Sequence, residues 1–281
     1  MTEFARIENV YERMRKFSGA STGLNELDKI IDGIHAGDIL LVAGRPSMGK
    51  TDFALNIARQ FAIGSGSTVV YFSLRKAQDQ VLRRLLSSQS KVQNSKLVRG
   101  FLRESDWPKI SLAAGTLADV PIFIDGTSNL TDSDLTSRIN DLKNTDNLGL
   151  IIIDGIEHIS SEKNHSTQSI EVTAIISGVK NLARQQKIPI VITTNTSRES
   201  ELRRDKRPTL RDLTEWEMLA SDIANVVIFL YRDEIYNIDS SDRGTTEIII
   251  AKNDYGPLNV VNVKYYPEYC LFENIEQKQD K

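Results

Sequence analysis

Gly44-Arg45-Pro46-Ser47-Met48-Gly49-Lys50-Thr51 is the stretch whose reading decides the fold. It fits G-x-x-x-x-G-K-[ST]. An apolar run, Asp38–Ala43, precedes it, and a helical pattern, Asp52–Phe61, follows. Strand, glycine-rich loop and helix in that order form a phosphate-binding loop. Backbone N–H groups of the loop and of the helix N-terminus surround phosphate oxygens. Lys50 neutralises β- and γ-phosphate charge, and the Thr51 hydroxyl reaches Mg²⁺. All eight residues are therefore candidate nucleotide contacts, with ATP as ligand and Mg²⁺ as cofactor. The competing reading is a decayed loop that keeps its sequence and stays empty.

Working outward, the apolar run Leu150-Ile151-Ile152-Ile153 ends in Asp154. An acid at the end of a buried strand suits a water-mediated Mg²⁺ ligand beside Thr51. Alone this is weak evidence, but paired with the upstream loop it is good evidence. Further apolar runs lie at Ile39–Ala43, Val69–Phe72, Ile122–Ile124, Ile190–Ile192 and Val226–Tyr231, the early ones separated by helical stretches. Fully apolar strands between helices predict an α/β fold with a mostly parallel central sheet flanked by helices. Near the C-terminus, Glu247–Ala251 and Val260–Tyr266 are joined through Asp254-Tyr255-Gly256-Pro257, which predicts an antiparallel hairpin at one sheet edge.

Phe4, Ile7, Tyr11 and Met14 recur at three- and four-residue spacing and predict an amphipathic helix before the small residues of 17–23. Its stripe packs either on its own domain or on a neighbouring subunit. The expected division is a linker helix over 1–16, one body over 17–275 and a polar, frayed tail over 276–281. No internal repeat is visible.

The 281 residues carry a formal net charge of −3 and are 40% hydrophobic, enough for a sizeable core and unlike a disordered chain. A protein that coats nucleic acid by bulk charge would be basic, so any DNA contact must come from local loops. Cys270 is alone, so no internal disulfide forms, and a cytoplasmic location fits. His35, His158 and His165 lack ligand-like spacing, so no structural zinc is expected. No apolar run approaches the ~18 residues of a membrane span.

With these residues placed, the chain resembles the C-terminal motor domain of bacterial replicative DNA helicases, the DnaB family. The likeness runs from Ser21 to Asn274. It includes Ser21–Asp28, Gly44–Thr51, Phe72-Ser73-Leu74, Ile151–Asp154, Lys206-Arg207-Pro208, Phe229–Asp233, Ala251-Lys252-Asn253 and Gly256-Pro257. The resemblance implies a RecA-like P-loop NTPase fold and self-association as a hexamer or partial ring, with residues 4–15 as the helix that docks on the adjacent subunit. A RecA-type recombinase fits less well, because the Lys252–Pro257 motif and the linker helix suit the helicases better.

Measured against the family pattern, the departures fall on the chemistry. The water-polarising Glu after the second strand is Arg75 here, followed by Lys76. Arginine stays protonated at any working pH and cannot serve as a base. Another acid, Glu157, stands three residues beyond Asp154, where the family has Gln, and is a candidate substitute. Lys252 matches the Lys of the family's Lys-x-Arg pair, whereas Asp254 replaces the arginine finger that reaches a neighbour's γ-phosphate. A trans arginine contributes ~10³–10⁵ in rate. Asp254 is also a natural turn residue in Asp-Tyr-Gly-Pro. Asn195 stands where the family has the Gln of a phosphate sensor, keeping an amide on a shorter stem.

The DNA-gripping loop of the family reads Asp212-Leu213-Thr214-Glu215-Trp216-Glu217-Met218 here. Thr214 replaces an Arg and Glu217 a Gly, and both changes weaken phosphate binding. Trp216 either stacks on a base, worth ~1–3 kcal/mol, or belongs to a core or interface. Arg198, Arg203, Arg204, Lys206 and Arg207 form a basic stretch that either tracks phosphates or is a solvated loop balanced by Glu199, Glu201 and Asp205. Two functional readings follow. One is an ATP-driven motor on single-stranded DNA with impaired hydrolysis. The other is a catalytically inactive paralogue that binds ATP and acts through a replicative helicase, a helicase loader or a primase.

Overall fold

The computed structural model describes residues 18–143, 147–162, 168–216 and 222–275. The expected linker helix and tail, and His165, Glu217 and Met218, lie outside the described residues. In chain order the main elements are α1 (Asn25–Ile31), β1 (Ile39–Gly44), α2 (Lys50–Ser65), β2 (Thr68–Ser73), α3 (Gln78–Ser90), α4 (Asn94–Arg99) and α5 (Asp106–Ala118). There follow β3 (Ile122–Asp125), α6 (Asp132–Lys143), β4 (Leu148–Asp154), α7 (Gln168–Gln186), β5 (Ile190–Asn195), α8 (Glu199–Leu202), β6 (Val226–Tyr231), β7 (Thr245–Asn253), β8 (Asn259–Tyr266) and β9 (Leu271–Glu273).

The strands form one sheet in the order β3-β2-β4-β5-β1-β6-β7-β8-β9. From β3 to β6 all neighbours are parallel, and β7, β8 and β9 are added antiparallel. The physical reason is visible along β1, where successive side chains point to opposite faces. Leu40 and Val42 join Leu27, Phe53, Ile57 and Tyr71 in one core, while Ile39, Leu41 and Ala43 join Ile176, Val179 and Phe229 in the other. Both faces are covered, so every residue of β1 must be buried. β7 instead alternates buried and half-buried positions, as an antiparallel strand with one wet face does.

The expected C-terminal antiparallel hairpin is present as β7–β8 at one end of the sheet, with one further short strand beyond it. After Pro267–Tyr269 and a left-handed Cys270 (φ 52°), the chain turns back, and β9 takes the edge beside β8. Three residues are too few for periodicity to reveal a strand.

The parallel registry also gathers the functional residues. Gly44 lies opposite Asn195, Ser73 opposite Asp154, and Asp154 opposite Thr193. Four strands thus deliver their carboxyl ends, and the loops that leave them, to one edge of the sheet. Ligands of open α/β sheets bind at such an edge.

Candidate functional site: a phosphate cleft

The loop after β1 bends through Ser47 (φ 69°) and Gly49 (φ 95°). A Cβ at Gly49 would lie 3.0 Å from Phe272 Cζ and 3.1 Å from Tyr265 Cζ, so only glycine fits both the dihedral and the space. Lys50 Nζ donates to Gly44 O at 2.6 Å and to Arg45 O at 3.0 Å, folding its ammonium back over the loop. Burial pushes the Lys50 pKa down to about 8; the Glu157 carboxylate opposes that shift and the Arg75 guanidinium adds to it.

Beside it, Thr51 Oγ1 donates to Asp154 Oδ2 at 2.9 Å, and Thr193 Oγ1 donates to Asp154 Oδ1 at 2.6 Å. Asp154 is 1% exposed. A hydroxyl and a carboxylate held together, both oxygen donors, suit a hard cation such as Mg²⁺ that keeps waters and phosphate oxygens as its other ligands. The donor set therefore fits the implied ion, with Thr51 and Asp154 as its holders. Together with Ser47, Lys50, Thr51, Arg232 and Tyr265, Arg75 lines a cleft of about 480 Å³. Lys76 and Arg84 line it too, so its cations outnumber its one acid, Asp52.

Arg75, Glu157 and Asn195 come together from the ends of three adjacent strands. Asn195 Nδ2 donates to Glu157 Oε1 at 2.5 Å, Arg75 Nη1 donates to Asn195 Oδ1 at 3.3 Å, and Arg75 Nη1 lies 3.8 Å from Glu157 Oε1. The Arg75 side chain is one-third exposed. Glu157 Oε2 is buried with no hydrogen-bond partner among the described residues.

Lys252 and Asp254 are not brought to this cleft. Asp254 accepts from Asn225 Nδ2 at 3.2 Å and lies 3.8 Å from Lys252 Nζ. Asn225 Oδ1 in turn accepts from the backbone N–H of Ile39, the first residue of β1 and the opposite end of that strand from Gly44. Lys252 Nζ donates to Ala224 O at 2.5 Å.

Three of the five cations of the basic stretch have intramolecular partners. Arg203 pairs with the buried Asp212 at 2.7 Å. Arg207 pairs with Glu247 at 2.5 Å, its guanidinium 4.8 Å from the Tyr231 ring centroid. Lys206 donates to Glu201 O at 2.7 Å. Arg198 and Arg204 are exposed and make no ion pair within 4 Å among the described residues. Thr214 is exposed at φ 52°, ψ −114°, in the turn that holds Glu215. Trp216 is 7% exposed and packs in the second core cluster, as its core reading expects.

Sequence reasoning missed three groups. Arg84 Nη1 and the Tyr265 hydroxyl both donate to the buried Asp52, each at 2.5 Å, tying α2 to α3 and β8 beside the loop. Arg232 donates to Ser47 O at 3.0 Å, and Glu201 pairs at 2.9 Å with Arg45, a loop residue the sequence did single out. Asp52 at the first turn of a helix was the available signal, because a carboxylate there favours the N-terminal dipole. Its distant partners carry no local pattern.

Known proteins resemble this chain in sequence and fold. A family model described as "DnaB-like helicase C terminal domain" matches residues 19–274. The chain is 37% identical to a "Replicative DNA helicase DnaB" of Geobacillus stearothermophilus over 99% of its own length and 61% of that protein's. It is 35% identical to the "Replicative DNA helicase DnaC" of Bacillus subtilis (strain 168), with the same coverage of 99% and 61%. Among solved structures, one described as an "ATPase Domain" superposes with a TM-score of 0.89 at 29% identity, covering 98% of this chain and 99% of that one. A DnaB-like replicative helicase, described together with its interactions with primase, gives 0.88 at 28% identity, covering 98% and 67%. The chain spans about three fifths of the length of the two helicases it matches by sequence.

Proposed function

The chain belongs to the DnaB-like helicase C-terminal domain family, and from that premise we propose that it is an ATP·Mg²⁺-binding motor domain with slow turnover. The observation that carries the reading is the contact of Thr51 with Asp154 beside the inward-folded Lys50. Lys50 supplies charge to the phosphates, and the loop's backbone N–H groups orient them. Thr51 and Asp154 hold the metal, which when bound neutralises charge on the β- and γ-phosphates. Arg75 and Lys76 add cations to the same cleft, which favours the bound polyanion without providing a base. No helix of the described residues is long and apolar enough to cross a membrane.

Assembly with copies of itself as a hexamer or partial ring, with residues 1–16 as linker, 17–275 as motor body and 276–281 as tail, belongs to the same proposal. So does contact with single-stranded DNA. The second reading, an inactive paralogue acting with a replicative helicase, a loader or a primase, is favoured by Asp254, an anion where the family presents a cation to its neighbour. Titration with a fluorescent ATP analogue tests the site. Lys50→Ala is expected to weaken binding strongly, and equal affinity in the variant would show that the loop is not the site.

A further inference from the structure

We infer that Glu157 is the carboxylate that holds and deprotonates the attacking water, in place of the acid that Arg75 has displaced. The inference rests on the nucleotide-binding reading above and deepens it.

Position is the first argument. Glu157 lies three residues beyond Asp154, in the short 3-10 turn Ile156–His158 that leaves β4. Gly155 makes that turn possible at φ 95°, folding the chain back so that Glu157 meets Asn195 at the end of β5. The Glu157 carboxylate lies 3.8 Å from Arg75, which lines the cleft together with Lys50 and Thr51.

The second argument is satisfaction. Oε1 is occupied by Asn195 Nδ2 at 2.5 Å and faces Arg75 at 3.8 Å. Oε2 is buried and has no partner among the described residues. A buried carboxylate oxygen without a donor is destabilising, and a water hydrogen satisfies it. Asn195 thus holds the carboxyl group through Oε1, and Oε2 remains without a donor among the described residues as the atom that would take the water's hydrogen.

The step balances simply. The water oxygen bonds to the γ-phosphorus as the bond from that phosphorus to the β–γ bridging oxygen breaks, and its electron pair leaves with ADP. The water's proton passes to Glu157 Oε2 and then to solvent. Arg75 contributes charge and orientation only.

The test uses Glu157→Gln, which keeps shape and the Asn195 bond, and Glu157→Asp, which keeps charge on a shorter stem. Three quantities are measured on the whole chain: affinity for fluorescent ATP, steady-state turnover, and affinity for ADP with aluminium fluoride, which mimics the transferring phosphoryl group with its water. Glu157→Gln is expected to leave ATP affinity unchanged, to cut residual turnover by about 10²-fold, and to abolish the preference for ADP-aluminium fluoride over ADP. Glu157→Asp is expected to fall between Gln and the parent on both readouts. Unchanged turnover and unchanged analogue preference in Glu157→Gln overturn the inference, as does a parent protein that shows no such preference. Failure of the parent to bind ATP overturns the binding reading instead, and the titration alone reveals it.

Discussion

Arg75 lies directly over Gly155: a Cβ built at Gly155 would stand 2.7 Å from both Cγ and Cδ of Arg75. The two residues leave adjacent strands, β2 and β4, and the absent side chain is the space the guanidinium stem occupies. Gly155→Ala is expected to be destabilising by about 1–3 kcal/mol, because φ 95° is strained for alanine and Arg75 must also move. Thermal unfolding measures the loss. A double substitution with Arg75→Ala should recover the steric part and not the dihedral part.

The buried ammonium gives a pH signature. Lys50 has its pKa lowered to about 8 by burial from an ordinary 10.5. Between those values the unfolded chain binds more protons than the folded one, so stability rises with pH through that window. Phosphate beside Lys50 favours its charged form, so ATP binding just above the lowered pKa is expected to take up protons. Calorimetry in two buffers of different ionisation enthalpy measures that uptake, and Lys50→Met should remove it.

Arg203 and Arg204 are neighbours in sequence with opposite expected roles. Arg203 satisfies Asp212, whose carboxyl burial pushes up and whose hydrogen bonds from Arg203 and Thr209 hold below its ordinary value. Arg203→Ala is expected to destabilise the fold by about 1–3 kcal/mol. Arg204→Ala should leave the unfolding midpoint unchanged while reducing the salt dependence of any single-stranded DNA binding by about one phosphate contact. Denaturant unfolding and salt-series binding separate the two.

Residues 4–15 carry an apolar stripe that, uncovered, invites association. Their deletion is expected to lower the mass seen by light scattering at fixed concentration. An unchanged mass would place the stripe on its own domain.

The sequence made the layout legible wherever the signal was local. The loop Gly44–Thr51, the apolar strands and Asp154 were readable because each follows from a short pattern with one physical meaning. Glu157 was visible as an acid near the right strand, yet its value depends on Asn195, nearly forty residues away in sequence and next to it in the sheet. The Asp52–Arg84–Tyr265 network and β9 were hidden for the same reason, since their partners converge only through the sheet order. The basic stretch was legible only as a charge pattern open to two readings. Its pattern fitted either a phosphate-tracking surface or an acid-balanced loop, and the intramolecular partners of Arg203, Lys206 and Arg207 appear only in the fold.

One paired measurement tests the binding and slow turnover together: ATP affinity and steady-state ATP turnover on the same preparation, with and without single-stranded DNA. The expected result is tight, Lys50-dependent binding together with turnover far below the ~1–100 s⁻¹ of typical enzymes, because Arg75 is no base and Asp254 supplies no cation to a neighbour. Turnover within that range in the presence of single-stranded DNA would contradict it.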